Sequence, residues 1–394
     1  MLHAPTLGVR RLSLALVLAA ACSAGRPDPG ASGVELAERS LAPLAAAPHD
    51  VAIVYPLPAR GSTDGLIQGS RIVPARALSA LGALVSGEPD DEMRAALRVV
   101  AVRLEPCFVA PPPASSACTR QVRFVLQPVV ADPSGAEPTT TLDAAVHAIY
   151  TLSDDAFETL AREIVAARGD APMPDVLGVH PVLAREGLAG PFARALELAL
   201  TRAVDGARLS RVTFLGLRGR GNEWQLGGVE IADDGAITPL AIPGSGAKLQ
   251  SLVLQRGGES FSKFLSPAAT ERDVALLYDS DAARAATPAE LTAALAAANR
   301  VENPALRSSE DTDCVTCHTV ASSRVWAETK LGARVDTDRF AAPAAAPSAA
   351  VAEQGVLRAL GYFDATPVVS PRALHDTLRA MQSMRGGSPR EIPR

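Results

Sequence analysis

The chain has 394 residues, 47% of them hydrophobic and 4% aromatic. That share sustains a real, mostly aliphatic core, excludes wholesale disorder and fits one large or two medium domains. With 38 Lys and Arg against 43 Asp and Glu, a formal charge of −5, the chain lacks the basic excess with which a nucleic-acid binder displaces phosphate counterions, so no nucleic-acid partner is expected. Five cysteines over this length exclude a disulfide scaffold.

Residues 1–21 read as an export signal. Arg10 and Arg11 supply the positive end, Leu12 to Ala21 is apolar apart from Ser13, and small residues precede Cys22. The apolar run is too short to span a bilayer, which takes about 20 residues as a helix. Leu18-Ala19-Ala20-Ala21-Cys22 resembles the lipobox of bacterial lipoprotein signals. The resemblance implies lipidation of the Cys22 thiol, a mature N-terminus at Cys22 and a membrane partner reached through the anchor. Ser23, in place of Asp, implies sorting to the outer membrane, on its periplasmic face. The alternatives are an ordinary cleaved signal in which Cys22 is incidental and an uncleaved anchor. Residues 22–48, rich in Ala, Pro, Gly and Ser, bury little and read as a flexible tether.

A globular body is expected over 49–285. Val51 to Tyr55, Leu97 to Leu104 and Val122 to Val130 are strand candidates. Two of these strands flank Cys107 and Cys118, with Pro111-Pro112-Pro113 between. A stiff loop joining two strands can bring the cysteines within disulfide reach, roughly 4–7 Å between Cα atoms, and an exported protein meets oxidising conditions. Cys107–Cys118 is read as a structural disulfide, with two free thiols or a metal pair as alternatives. Ser153 caps a helix whose first turn carries Asp154 and Asp155. Pro191 opens a second, from Phe192 to Val204. Further strands are expected at Val212–Leu215, Trp224–Ile231, Ala236–Ile242, Leu249–Leu254 and Val274–Tyr278, with Asp233-Asp234-Gly235 as a turn. The expected class is α+β with a mostly antiparallel sheet.

The body shows no catalytic constellation. Gly244-Ser245-Gly246 lacks the spacing of a nucleophile elbow, and neither a dinucleotide fingerprint nor a phosphate loop occurs. His147 reads as a half-buried structural histidine. His180, before Pro181, also reads as structural and is the body's best candidate for an accessory site.

Thr287-Pro288-Ala289-Glu290 is a capping box that starts a helix through about Asn299. A loop then delivers Cys314-Val315-Thr316-Cys317-His318, a C-x-x-C-H motif that resembles the haem attachment site of c-type cytochromes. Two thiols at this spacing can each add to a vinyl group of one haem, and the next residue offers an imidazole to its iron. The resemblance, confined to residues 314–318, implies one covalent haem c held by Cys314 and Cys317 with His318 as proximal iron ligand. It implies an electron carrier rather than a stand-alone enzyme, working with unidentified redox partner proteins. One lipidated Cys, one disulfide and one haem account for all five cysteines. Bland alternatives are a Cys314–Cys317 disulfide or metal clip in a haem-free envelope binding or structural lipoprotein, and a haem sensor with an open iron site.

Residues 286–394 are expected to form a small, mainly helical haem-binding region, interrupted by an Ala/Pro linker at about 341–350. Ser370-Pro371 caps a last helix bearing His375, Met381 and Met384. These three and His180 are the candidates for the distal iron ligand. Met would raise the potential and His lower it.

Overall fold

The computed structural model describes residues 42–386, except 85–90, 109–118, 175, 218–222, 266–269, 310 and 342–358. The signal, Cys22, the tether up to residue 41, Cys118 and nearly all of the Ala/Pro linker lie outside the described residues. The fold is α+β with a large antiparallel sheet and several helices.

The strands are β1 (Ala52–Val54), β2 (Leu97–Phe108), β3 (Thr119–Val130), β4 (Thr140–Thr141), β5 (Ala144–Leu152), β6 (Arg208–Leu217), β7 (Glu223–Ile231), β8 (Ile237–Pro239), β9 (Leu249–Gly257) and β10 (Ser260–Leu265). They form one ten-stranded sheet in the order β1-β2-β3-β5-β6-β7-β9-β10, with β4 added to β3 and β8 to β7. Every pairing is antiparallel. The β7–β8 turn uses Asp233-Asp234-Gly235 as expected. Gly235 has φ +82°, and the Asp234 carboxylate accepts from the Ala236 amide at 2.9 Å. β8 is shorter than the apolar run, because Pro239 cannot donate to a ladder.

The helices are α1 (Pro48–Val51), α2 (Ala75–Leu84), α3 (Asp91–Ala96), α4 (Asp154–Arg168), α5 (Pro181–Glu186), α6 (Pro191–Val204), α7 (Ser280–Ala285), α8 (Pro288–Glu302), α9 (Cys314–Leu331) and α10 (Pro371–Met384). The Ser153 hydroxyl caps α4 by accepting from Ala156 N, and Pro191 stands in the first turn of α6.

Side chains alternate across the pleat, so each strand serves two layers. On β5, Ala148, Tyr150 and Leu152 enter a core with Phe157, Leu160 and Ile164 of α4 and Phe192, Leu196 and Leu200 of α6. The opposite face of β7, β9 and β10 gives Trp224, Leu226, Leu252, Leu254 and Phe261 to a second core. There they meet Ala294, Leu295 and Val301 of α8 and Val315, Val320 and Trp326 of α9.

Three expectations change. Val274–Tyr278 is part of a 3-10 helix, Arg272–Tyr278, instead of a strand. Val274, Leu277 and Tyr278 are its buried positions, a helical spacing that the unbroken apolar run concealed. The second is a missed element: after the expected loop, the C-x-x-C-H motif opens the 18-residue helix α9. No apolar stripe announces that helix because its buried face includes Thr316, Thr319, Ser322 and Ser323. Three of these hydroxyls are satisfied within the helix: Thr319 Oγ1 donates to Val315 O at 2.9 Å, and Ser322 Oγ and Ser323 Oγ donate to Thr319 O at 3.1 and 3.0 Å.

The third change concerns 286–394, set apart by sequence as a mainly helical module. Its helices α8 and α9 complete the second core, while Leu374, Leu378, Met381 and Met384 of α10 enter the first. A hairpin of β11 (Leu360–Phe363) and β12 (Thr366–Val369) precedes α10. Buried Gln127 of β3 fixes that hairpin, donating to Tyr362 O at 2.9 Å and accepting from Tyr362 N at 2.7 Å. Gly361 permits this approach. Its φ is +130°, and a Cβ there would lie 2.6 Å from Gln127 Oε1. The physical reason is mutual need: an Ala-rich helix pair and an uncovered sheet face each bury apolar surface only against the other.

Candidate haem-attachment site

Asp313 sets the start of α9. Its Oδ1 accepts from Thr316 N at 3.0 Å, satisfying an amide that the helix leaves without an internal partner. The same carboxylate accepts from Gln250 Nε2 of β9 at 3.1 Å and from Thr270 N at 2.9 Å. Gln250 Oε1 in turn accepts from Val315 N at 3.2 Å. The first turn is therefore clamped to the sheet by buried polar groups. Asp313→Ala removes the cap and strands these donors. It is expected to cost about 2 kcal/mol, read as a lower midpoint in urea unfolding of the full chain.

Positions 314, 317 and 318 share one helix face, being three and four residues apart. Cys314, Cys317 and His318 are half-buried there, while Val315, Thr316, Thr319 and Val320 turn inward. All three motif side chains line one open-mouthed cavity of about 230 Å³. Ligand sites commonly fall at roughly 300–1,000 Å³, so a large flat ligand here would extend through the open mouth. Its floor is the second sheet face: Arg103 of β2, Arg123 of β3, His147 and Ile149 of β5, Arg211, Thr213 and Leu215 of β6, and Leu226 of β7. Arg372, Ala373 and Asp376 of α10 form another wall.

Both cysteines are free thiols. Burial pushes the Cys314 thiol up to about 12, with Cys317 and Asp313 adding to the shift. Burial also pushes Cys317 up, against the opposing pull of Arg372. Although each residue keeps some exposure toward the cavity, protein packs its remaining sides, so both stay protonated at neutral pH. That disfavours a thiolate-based redox dithiol, whose nucleophile needs a lowered pKa.

Charge is concentrated at one side of the cavity. Glu105 pairs with Arg103 and, at 3.2 Å, with Arg123. Asp376 sits 3.1 Å from both Arg103 and Arg372, and Arg211 sits 2.9 Å from Glu230. Burial alone would raise the Glu105 carboxyl, but Arg123 and Arg103 hold it below the usual range. Asp376 is held down in the same way by Arg372 and Arg103. Four guanidinium groups face three carboxylates, an excess of positive charge suited to an acidic ligand edge.

The donor set fits a haem c: two thiols and an imidazole on one helix face, apolar side chains from the sheet, and arginines for two propionates. Among the described residues no group of three or more His, Cys, Asp or Glu side chains is arranged to hold a metal ion directly.

The four distal candidates from the sequence lie elsewhere. Met381 and Met384 are packed in the first core. His375 Nδ1 lies 2.9 Å from Glu302 O, with its ring 4.8 Å from that of Phe340. His180 is fully buried, caps α5 by accepting from Val182 N, and stacks on Phe192 at 4.6 Å. None of them lines the cavity. His147, read from sequence as structural, does line it. Cys107, next to the last residue of β2, is in a disulfide; its expected partner, Cys118, lies outside the described residues. Among the described residues no helix is long and apolar enough to cross a membrane. No family model, curated protein or solved structure matches the chain.

Proposed function

We propose that the protein is a lipid-anchored, single-haem c-type cytochrome that carries electrons in the bacterial cell envelope. The observation that supports this most is the shared cavity: Cys314, Cys317 and His318 all open into one groove rich in arginine and aliphatic side chains. The bound haem would supply one-electron redox chemistry. Cys314 and Cys317 would hold it by adding S–H across its two vinyl double bonds, sulfur to one carbon and hydrogen to the other. That addition uses neutral thiols and needs no oxidant. His318 would give a ring nitrogen to iron, Ile149, Leu215 and Leu226 would exclude water, and Arg103, Arg123, Arg211 and Arg372 would balance the propionates.

Cys22 would carry the lipid, and the tether would hold the folded part off the outer membrane's periplasmic face, within reach of redox partner proteins. The test is a pyridine haemochrome spectrum of the full chain made alongside cytochrome c maturation machinery. One acid-acetone-resistant haem per chain, with a thioether-type spectrum, is expected. Colourless protein from a competent host would reject the reading and leave the haem-free lipoprotein.

A further inference from the structure

We infer that His147 is the second axial ligand of the iron, approaching from the sheet opposite His318. This rests on the haem reading above and assigns a residue that the motif does not specify. Two imidazoles line the cavity, and they come from different walls: His318 from α9 and His147 from β5. The sequence offered Met381, Met384, His375 and His180 instead, and the fold commits each to packing or capping away from the cavity.

The backbone at His147 is well placed to present a ligand. It lies mid-strand, opposite Val125 of β3 on one side and Thr213 of β6 on the other. Ladders on both flanks hold its Cα, so little ordering remains to be done when the ring engages iron. Alternation sends residues 145, 147 and 149 to the cavity side of the sheet and residues 148, 150 and 152 to the first core. A shift of one residue would bury this imidazole in that core.

The surroundings agree with a ring lying between α9 and the sheet. One row along from His147 and Thr213, Ile149 pairs with Arg123 and Arg211, and Arg123 pairs with Arg103. That row is about 7 Å away along the strands. An iron bound over His147 would thus have cationic side chains on one side, toward which a propionate edge can turn. Leu215 and Leu226 stand on the other side of His147, as apolar cover.

The test uses the haem-loaded full chain and reads electron paramagnetic resonance and visible spectra. The wild type is expected to be low-spin with two imidazole ligands and, once reduced, slow to bind carbon monoxide. His147→Ala should retain covalent haem on a denaturing gel yet become high-spin and bind carbon monoxide readily. Added free imidazole should restore the low-spin signal. His147→Met should stay six-coordinate with a higher midpoint potential. His375→Ala, His180→Ala and Met381→Leu should leave the spectrum unchanged.

A methionine signature or a five-coordinate iron in the wild type would overturn the assignment without any variant having to fold. So would an unaltered spectrum in His147→Ala. Wild-type protein with no covalent haem would instead reject the haem reading itself, and this assignment with it.

Discussion

Replacing Cys314 and Cys317 together by Ala is expected to abolish covalent haem attachment while leaving the chain folded. On the proposed haem attachment each thiol would form one thioether bond, so either single variant should keep a covalently held haem with a haemochrome band displaced toward that of a haem retaining one vinyl group. The double variant should lose all haem staining on a denaturing gel. Folding should survive because both side chains face an open cavity rather than a closed core. Removing a sulfur there costs on the order of 1 kcal/mol in lost contact. The α9 start is held separately by Asp313 and Gln250, so helix and cavity persist. A double variant that keeps haem through denaturation would contradict the attachment chemistry. If wild type and double variant are equally colourless and equally stable, the two cysteines have another purpose.

Acid should destabilise the fold before the ion-paired Glu105 and Asp376 titrate. His49 and His180 are 1% and 0% exposed, their rings 6.1 Å apart. Burial lowers His49 to about 4 and, with the neighbouring His49 and Arg168, lowers His180 to about 3. Burial also lowers His375. Each ring is neutral in the fold but takes a proton near pH 6.5 when unfolded. The unfolded state therefore binds more protons below that pH, and stability falls as pH falls from about 6.5, levelling only below the folded pKa. Each ring contributes a slope near 1.4 kcal/mol per pH unit, so His49 and His180 each remove roughly 3 kcal/mol by pH 4.

Most of this loss should fall between pH 6.5 and 4.5, above the range where Glu105 and Asp376 begin to protonate. Urea unfolding of the full chain at pH 7, 6 and 5 measures it. His180→Leu should flatten the acid slope by about one ring's worth, whatever it does to stability at pH 7. Equal stability at pH 7 and 5 would show that these histidines are not held neutral by the fold.

The readable parts of the sequence were those governed by local chemistry. Ser153, Thr287 and Ser370 mark helix starts because a hydroxyl before a helix satisfies a nearby amide. Asp233-Asp234-Gly235 marks a turn because glycine adopts positive φ without strain. The spacing of Cys314, Cys317 and His318 marked them as one chemical group, while the helix α9 that puts them on one face went unseen. That helix was hidden because Thr and Ser interrupt its buried apolar positions, Thr319, Ser322 and Ser323 being satisfied by carbonyls of the preceding turn.

The sequence by itself carried the α+β class with a mostly antiparallel sheet and the C-x-x-C-H motif. Only the tertiary structure decided that α8, α9 and α10 cover the sheet instead of forming a module of their own. It also decided that Met381, Met384, His375 and His180 are spent on packing and capping, and that His147 shares a cavity with His318. The reason is sequence distance. His147 and His318 line one cavity only because β5 pairs with β6, β6 with β7 and β7 with β9, and because Gln250 of β9 clamps the start of α9. Local spacing carries no trace of such a chain of pairings.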